Sequence, residues 1–290
     1  MTKSKITAMI FLWVFFLNLF SCASNLKDRE ALNMPAKKYD LVLVHGLSNM
    51  HCWGDDFLLQ CINIWGPKHV FAIYTSQSRT VWERDIQSNP LICCGEDNYS
   101  AGDDYIATQS EYLNESISEL QASHALGPKF CIIAHSMGGL VARHYIAQHP
   151  GNVVGLVTLG TPHHGDPLAD SFGWIGFFIG AGDAVDNLGP DYMVEFNRQF
   201  PIPDASVPGN CKIYTISGDS DGYDSFGWGG ELFFGWPVMR IFYWTDSDGI
   251  VPEQSSLIEG AMHIGDFSGD DHYDLVRDPA VVIKAAEYLP

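Results

Sequence analysis

The sequence has few basic residues. It contains 16 lysines and arginines against 35 aspartates and glutamates, so its formal net charge is −19. Nucleic acids and anionic lipid surfaces attract basic proteins, and this balance argues against both as electrostatic partners. Any contact with a membrane is therefore expected to be apolar or covalent.

The composition also excludes a disordered or repetitive chain. Only 18% of the 290 residues are charged and 46% are apolar, and the sequence holds no internal repeat or low-complexity linker. A chain of this length and apolar content can bury a substantial core. One domain with an inserted segment is the simplest organisation.

None of the seven cysteines has zinc-finger spacing. Cys52 and Cys61, nine positions apart, could form a disulfide in an oxidising compartment. Cys93 and Cys94 are adjacent and cannot easily bond to each other, so one of them could pair with a distant cysteine such as Cys211.

An apolar run with a basic start lies at the N-terminus. Two lysines precede residues 6–20, a run that is short for a transmembrane helix and has the layout of an export signal. The next residues, Ser21 and Cys22, resemble a bacterial lipobox, in which the cysteine is acylated after cleavage. We therefore expect residues 1–21 to be a lipoprotein signal cleaved before Cys22, and residues 22–38 to be a linker.

This signal predicts export to the cell envelope, where Cys22 would anchor the protein to the membrane. Ordinary cleavage after Ala23, which would release a secreted protein, is the alternative. Either cleavage removes two of the 16 basic residues and none of the 35 acidic ones, which gives a net charge of about −21.

Apolar runs of strand length recur along the chain and predict a parallel sheet. They cover residues 39–44, 70–74, 130–134, 153–159, 212–216 and 240–244. Most are continuous rather than alternating, as expected for strands buried on both faces of a parallel sheet. Helical patterns lie between them, near residues 104–122, after Ser136, and after Asp278, which is the expected N-cap of a C-terminal helix starting at Pro279. This alternation predicts an α/β fold.

Two segments interrupt the alternation. Residues 166–208 contain no convincing strand but include the apolar, glycine-rich sequence SFGWIGFFIGAG, and residues 223–238 are aromatic and glycine-rich. Both could be buried loops or core helices, since large apolar surfaces are normally hidden. The other interpretation is a mobile cap in which Trp174, Phe177 and Phe178 line an apolar substrate pocket.

A serine stands where a strand is expected to end and a helix to begin. Ser136 falls at the carboxyl end of a predicted strand, where parallel sheets bind ligands. Ala134-His135-Ser136-Met137-Gly138 matches the G-x-S-x-G nucleophile elbow, with alanine in place of the first glycine. The positive end of the following helix would stabilise negative charge at the serine oxygen. An ordinary helix N-cap is the alternative interpretation.

Further segments fit an acyl-transfer site. His45-Gly46-Leu47 follows the first predicted strand, so the backbone N–H groups of Leu47 and Met137 could form an oxyanion hole. His45 is expected to brace this loop by hydrogen bonds, and His135 to point away from the nucleophile. Downstream lie TLGTPHHGDPLAD at 158–170, SDGIVPEQSS at 247–256 and DDHYDLV at 270–276.

Together, these motifs resemble the bacterial triacylglycerol lipases of the α/β-hydrolase superfamily, in motif order over roughly residues 39–290. The resemblance implies an α/β-hydrolase fold, with a mostly parallel central sheet flanked by helices and an inserted cap or lid at about 166–208. It also implies a nucleophile at Ser136, an acid at Asp248 and a base at His272, and the chain order Ser, Asp, His agrees with that fold.

The chemistry implied is hydrolysis of carboxylic esters, in particular lipidic acyl esters, through an acyl-enzyme that requires no cofactor. A short-chain esterase, a thioesterase, an amidase, an acyltransferase or a non-catalytic envelope lipoprotein of the same fold are the alternatives. His263 is the main alternative base, and Asp219 and Asp246 are alternative acids.

Two groups of residues could suggest a metal site. His163 and His164 with Asp166 and Asp170 could suggest a metal, but the lipase-like loop accounts for these residues without one. Several lipases of this type carry a structural calcium near the base, and the resemblance maps one ligand onto Asp274. The alternative is that Asp274 belongs to a solvated acidic loop.

Overall fold

Eight strands form the central sheet in the described part of the chain. The computed structural model describes residues 34–47, 52–166, 182–220 and 246–290. The strands are β1 (Asp40–Val44), β2 (Val70–Ile73), β3 (Val81–Ile86), β4 (Asn89–Cys94), β5 (Phe130–His135), β6 (Val153–Leu159), β7 (Lys212–Gly218) and β8 (Met262–Phe267), in the order β3-β4-β2-β1-β5-β6-β7-β8. Only β3 pairs antiparallel, with β4, so the sheet is mostly parallel, as predicted.

Helices connect the strands. They are α1 (Asp55–Trp65), α2 (Ile106–Ser123), α3 (Met137–Gln148), α4 (Gly182–Val185), α5 (Pro190–Gln199), α6 (Glu253–Ser256) and α7 (Pro279–Tyr288), with a 3-10 turn at Asp274–Val276. Helix α2 packs against α3, and α1 packs against α7. The predicted cap of α7 is confirmed, because Asp278 accepts a hydrogen bond from the amide of Ala280 at 2.8 Å.

Five of the six predicted strands are confirmed as β1, β2, β5, β6 and β7. Every residue of β1, β2 and β5 is buried, which explains their continuous apolar sequence. The sixth prediction, at 240–244, lies outside the described residues. The register places Val44 beside Ala134 and Ala134 beside Thr158, so the carboxyl ends of β1, β5 and β6 lie side by side.

Three strands were not predicted from the sequence. Strands β3 and β4 form a hairpin whose turn residues, Gln87 and Ser88, have positive φ angles of 50° and 72°. Such angles are typical of the tight turns that join antiparallel strands, where Asn-Gly is the usual signal. Strand β8 lies at the edge of the described sheet and has a single buried residue, Ile264, so it lacks a continuous apolar run.

The expected cap is described only in part. Residues 182–208 contain α4 and α5 and no strand, in agreement with the break in the strand pattern. Trp174, Phe177 and Phe178 lie outside the described residues, as do the export signal and Cys22. Within the described ranges, each helix is too short or too polar to span a bilayer.

The disulfides that the sequence leaves possible are not formed at Cys61, Cys93, Cys94 or Cys211. Cys61, Cys93, Cys94 and Cys211 are buried as thiols. Burial raises the pKa of Cys93 to about 12, and it also raises that of Cys61, which lies in α1. These side chains therefore serve as small apolar core residues.

Candidate active site

Ser136 occupies a strained turn between β5 and α3. Its φ of 52° and ψ of −132° lie in a region of backbone conformation that residues other than glycine rarely adopt. Its amide donates to the carbonyl of Leu159 at 2.8 Å, and its carbonyl accepts from the Thr161 hydroxyl at 2.8 Å and the Gly139 amide at 3.0 Å. Contacts with β6 and the loop after it therefore hold the turn in place.

The glycine of the elbow is required by close packing. A β-carbon on Gly138 would lie 2.1 Å from the carbonyl oxygen of His45, and one on Gly46 would lie 2.7 Å from Cβ of Ser136. Both positions exclude a side chain. Ala134, which replaces the first glycine of the motif, is fully buried within the sheet.

Asp248 and His272 are hydrogen-bonded to each other. Nδ1 of His272 donates to Oδ2 of Asp248 at 2.7 Å, and the His272 amide donates to the Asp248 carbonyl at 2.9 Å. The other carboxylate oxygen, Oδ1, accepts from the amides of Ile250 at 3.0 Å and Val251 at 2.7 Å. Because Nδ1 carries the proton, Nε2 of His272 is the basic nitrogen of the ring. Both side chains are buried, so their orientation is tightly held.

Gly160 links this pair to the serine turn. It follows Leu159, the acceptor of the Ser136 amide, and a β-carbon on it would lie 2.7 Å from Oδ2 of Asp248 and 3.2 Å from Nδ1 of His272. The end of β6 therefore contacts both the Ser136 turn and the Asp248–His272 pair.

The alternative base has different partners. His263 lies on β8, where its Nε2 is 2.8 Å from Asp266 and its Nδ1 is 3.0 Å from the Thr215 hydroxyl. His263 has these partners because it lies on the edge strand. His272, in contrast, lies on the loop before the last helix. The carboxylate bonded to the His272 ring is that of Asp248, and not that of Asp219 or Asp246.

The predicted oxyanion loop is held by His45, as expected. Nδ1 of His45 donates to the carbonyl of Gly46 at 2.6 Å, and its Nε2 accepts from the amide of Thr75 at 2.9 Å. Burial lowers the pKa of His45 to about 4, which keeps the ring neutral. Leu47 is half-buried, and Met137 is the first residue of α3. Both predicted oxyanion donors thus lie beside the elbow.

The described residues near His163 do not form a metal site. Nδ1 of His163 accepts from the guanidinium of Arg143 at 3.2 Å, and its Nε2 is 3.1 Å from the Thr158 hydroxyl. Burial, and then the Arg143 charge, hold the pKa of His163 well below its ordinary value. His164 is exposed, and Asp170 lies outside the described residues.

Asp274, onto which the resemblance maps a calcium ligand, lies in a hydrogen-bonded turn with Asp271. Oδ1 of Asp271 accepts from the amides of Tyr273 and Asp274 at 2.8 and 2.9 Å, and Oδ2 of Asp274 is 3.4 Å from the Asp271 amide. In the part of the chain that the structure describes, no group of three or more His, Cys, Asp or Glu side chains is arranged to hold a metal ion.

A polar cleft of about 650 Å³ lies beside the loop that follows Thr75. Ser76, Glu96, Asp103 and Asp183 are among the residues that line it. A hydrocarbon chain would bind poorly against these carboxylates. This cleft therefore differs from the apolar pocket expected from the sequence.

Sequence reasoning assigned no role to Gly160 or Thr161, although both lie in the quoted TLGTPHHG segment. It also missed the contact of His135, whose Nε2 donates to the carbonyl of His272 at 2.8 Å. No local pattern reports a contact across such a long stretch of chain.

Comparisons with known proteins show which families the chain resembles. The PGAP1-like alpha/beta domain family matches residues 95–180, a range that includes Ser136. Two triacylglycerol lipases, from Pseudarthrobacter phenanthrenivorans and Burkholderia plantarii, are each 26% identical to the chain over 226 residues, which is 67% of the chain. The chain spans 65% of the first lipase and 58% of the second.

A solved structure supports the fold independently. The crystal structure of Bacillus licheniformis lipase BlEst2 in its mature form superposes with a TM-score of 0.61 at 24% identity. The superposition covers 84% of this chain and 88% of the other. The fold expected from the sequence is thereby confirmed.

Proposed function

Since the chain belongs to the lipases and esterases of the α/β-hydrolase superfamily, we propose that it hydrolyses carboxylic esters with Ser136 as nucleophile. The observation that carries the proposal is the buried Asp248–His272 hydrogen bond of 2.7 Å at the end of the sheet where Ser136 occupies its strained turn. A helix cap would explain the serine alone, but it would not explain this pair.

The proposed reaction begins with proton transfer. Nε2 of His272 takes the proton from the Ser136 hydroxyl as its oxygen attacks the ester carbonyl. Asp248 keeps the proton of the resting ring on Nδ1 and offsets the imidazolium charge. The two amides that bond to its other oxygen hold the carboxylate in this orientation.

The negative charge that develops on the substrate oxygen would be stabilised by the N–H groups of Leu47 and Met137 and by the N-terminus of α3. His272 then returns its proton to the departing alcohol, which leaves an acyl group on Ser136. A water molecule activated by the same ring releases the acid. These steps use the chain's own residues and need no metal or redox cofactor.

Lipidic acyl esters are the proposed substrate class. The triacylglycerol lipases that match the chain support this choice, as does the apolar sequence of the expected cap with Trp174, Phe177 and Phe178. A short-chain esterase or a thioesterase would use the same serine chemistry on other acyl groups.

An anchored location in the cell envelope, through an acylated Cys22, completes the proposal. It would hold an acidic enzyme at a lipid surface without electrostatic attraction. Changing Cys22 to Ser should abolish acylation and release the protein from membranes, as measured by fractionation and mass spectrometry. Unchanged membrane association would instead favour ordinary secretion or a different anchor.

The central test is Ser136→Ala, assayed with a series of p-nitrophenyl esters of increasing chain length. Hydrolysis and labelling by a fluorophosphonate should both be lost, while the melting temperature stays close to that of the unchanged protein. Ser118→Ala, which alters an exposed serine of α2, is the matched control and should retain full activity. Residual hydrolysis above a few per cent would remove Ser136 from the mechanism.

The same series separates the substrate classes. A jump in rate when long-chain esters pass their solubility limit would indicate a lipase with a closing lid. Simple saturation with soluble esters would indicate an esterase. Activity in the presence of a calcium chelator would show directly whether a calcium ion supports the fold.

A further inference from the structure

His135 contacts the segment that carries the proposed base. It is the last residue of β5 and is almost completely buried. Its Nε2 lies 2.8 Å from the backbone carbonyl oxygen of His272. A carbonyl oxygen only accepts hydrogen bonds, so Nε2 of His135 carries the proton and donates it. The strand that leads into the serine turn is thereby tied to the loop of His272.

The two imidazole rings also pack against each other. Their centroids are 4.5 Å apart and their planes are inclined by 47°. The His272 ring is therefore restrained by Asp248 at Nδ1, by its backbone bonds to Asp248 and His135, and by the His135 ring itself. Rotation of the His272 ring would require movement of at least one of these groups.

The His135 ring remains neutral in this environment. Burial, and then the neighbouring His272, hold its pKa well below the ordinary value. Its Nδ1, the unprotonated nitrogen of this tautomer, has no hydrogen-bond partner among the described residues. A neutral neighbour is required because His272 becomes positively charged in the proposed reaction, and two adjacent cations would repel each other.

We propose that His135 is a positioning residue, which directs the His272 ring toward Ser136 through its Nε2–H hydrogen bond and its ring contact. This inference rests on the proposed ester hydrolysis. His135 itself does not touch the substrate or the transferred proton. Its contribution is to fix the distance and angle over which His272 takes the proton from Ser136, to which general-base catalysis is sensitive.

Three substitutions of His135 separate the hydrogen bond from simple packing. In His135→Gln, the amide nitrogen is as many bonds from the backbone as Nε2 of histidine, so it can reach the His272 carbonyl. In His135→Asn, the amide is one bond shorter and cannot reach it. In His135→Leu, the volume is similar but no donor remains. His144→Asn, in a half-buried histidine of α3 that contacts Phe200, is the matched control.

The expected result is a difference in kcat. His135→Asn and His135→Leu should lower kcat for a soluble p-nitrophenyl ester by about 10- to 100-fold with little change in KM, because the base is misplaced. His135→Gln should restore most of the activity, and His144→Asn should match the unchanged protein. Equal kcat in the Gln and Asn variants, whether both are high or both are low, would overturn the inference.

A spectroscopic measurement makes the test independent of turnover. The proton between Nδ1 of His272 and Asp248 should give a low-field proton NMR signal in the unchanged protein and in His135→Gln. The signal should shift or broaden in His135→Asn and remain unchanged in His144→Asn. If the unchanged protein neither hydrolyses esters nor reacts with a fluorophosphonate, the proposed function fails, and this signal still decides the inference. An identical signal in all variants would refute it.

Discussion

A β-carbon placed on Gly160 would lie 2.7 Å from the Oδ2 atom of Asp248. The first residue after β6 therefore borders the hydrogen bond between Asp248 and His272, and its backbone has a φ of 52°. The space for this buried pair depends on a residue without a side chain.

Gly160→Ala should consequently impair activity more than stability. The added methyl group would push the carboxylate away from its partner, and we expect kcat to fall by about 100-fold. The positive φ angle should cost about 1 kcal/mol of unfolding free energy in addition. Ester hydrolysis and urea denaturation measure the two effects.

Gly151→Ala is the matched control for this substitution. Gly151 also has a positive φ, of 89°, but no atom lies within 4 Å of its added β-carbon. It should reproduce the loss of stability without the loss of kcat. Equal activities of the two variants would contradict the role assigned to Gly160.

Asp248→Asn should inactivate the protein while preserving its fold. An amide is almost isosteric with the carboxylate, but it can no longer hold the Nδ1–H tautomer or offset an imidazolium charge. We expect kcat to fall by roughly 1000- to 10 000-fold, as in other serine hydrolases. Asp219→Asn, at an alternative acid of the sequence analysis, should remain near full activity, and a reversed outcome would reassign the acid.

Stability should decrease as the pH falls below about 6.5, partly because of buried neutral histidines. The pKa of His45 is lowered from 6.5 to about 4 by burial. Above pH 6.5 neither folded nor unfolded protein protonates this ring. Between pH 6.5 and about 4, the unfolded chain binds the proton and the folded chain does not. The free energy of unfolding therefore decreases as the pH is lowered through this range.

Below about pH 4 the ring is protonated in both the folded and the unfolded state, and its contribution to this slope ends. The slope for one such group is at most about 1.4 kcal/mol per pH unit. Urea unfolding over this pH range should show a smaller slope in His45→Gln than in the unchanged protein. The same slope in both proteins would indicate that His45 does not stay neutral when folded.

Arg143 should prove important for holding helix α5. Its buried guanidinium donates to Nδ1 of His163, to Oδ1 of Asn197 at 3.0 Å and to the carbonyl of Phe200 at 2.8 Å. Burial lowers the pKa of Arg143 to about 10. Lysine cannot reproduce this planar set of donors, so Arg143→Lys should cost about 2 kcal/mol of unfolding free energy.

Hydrogen exchange of the α5 amides should also accelerate in Arg143→Lys. Arg198→Lys, in an exposed pair with Glu195, serves as control and should change stability by less than about 0.5 kcal/mol. Similar protection of α5 in both variants would exclude Arg143 as its anchor.

The central strands could be predicted because they are buried on both faces. At residues 41–44 of β1 and 130–134 of β5, burial on both faces favours apolar or small side chains, and the sequence is an unbroken apolar run there. Strand β8 is buried only in part, since Met262 and His263 are exposed, and its sequence is therefore not continuously apolar. The hairpin of β3 and β4 was not predicted because its turn is Gln87-Ser88 and not a glycine-containing pair.

The residues of the candidate site also differ in how far the sequence alone predicts them. The elbow around Ser136 could be recognised because its turn limits side-chain size at fixed neighbouring positions. The contact between Asp248 and His272 was implied by the resemblance to triacylglycerol lipases. The His135 contact depends on how two distant loops meet in space. Cysteine spacing misled for a related reason, since it does not report that Cys61 packs into the core.

Gly138 packs so tightly against the His45 carbonyl that no side chain fits between the serine turn and the loop before Leu47. Attempts to broaden or redirect substrate preference should therefore leave these two segments unchanged, because the space between them admits no larger side chain. Laboratory evolution of this chain would instead accumulate productive changes in regions remote from these two segments, where the backbone can adjust to a new acyl or alcohol group.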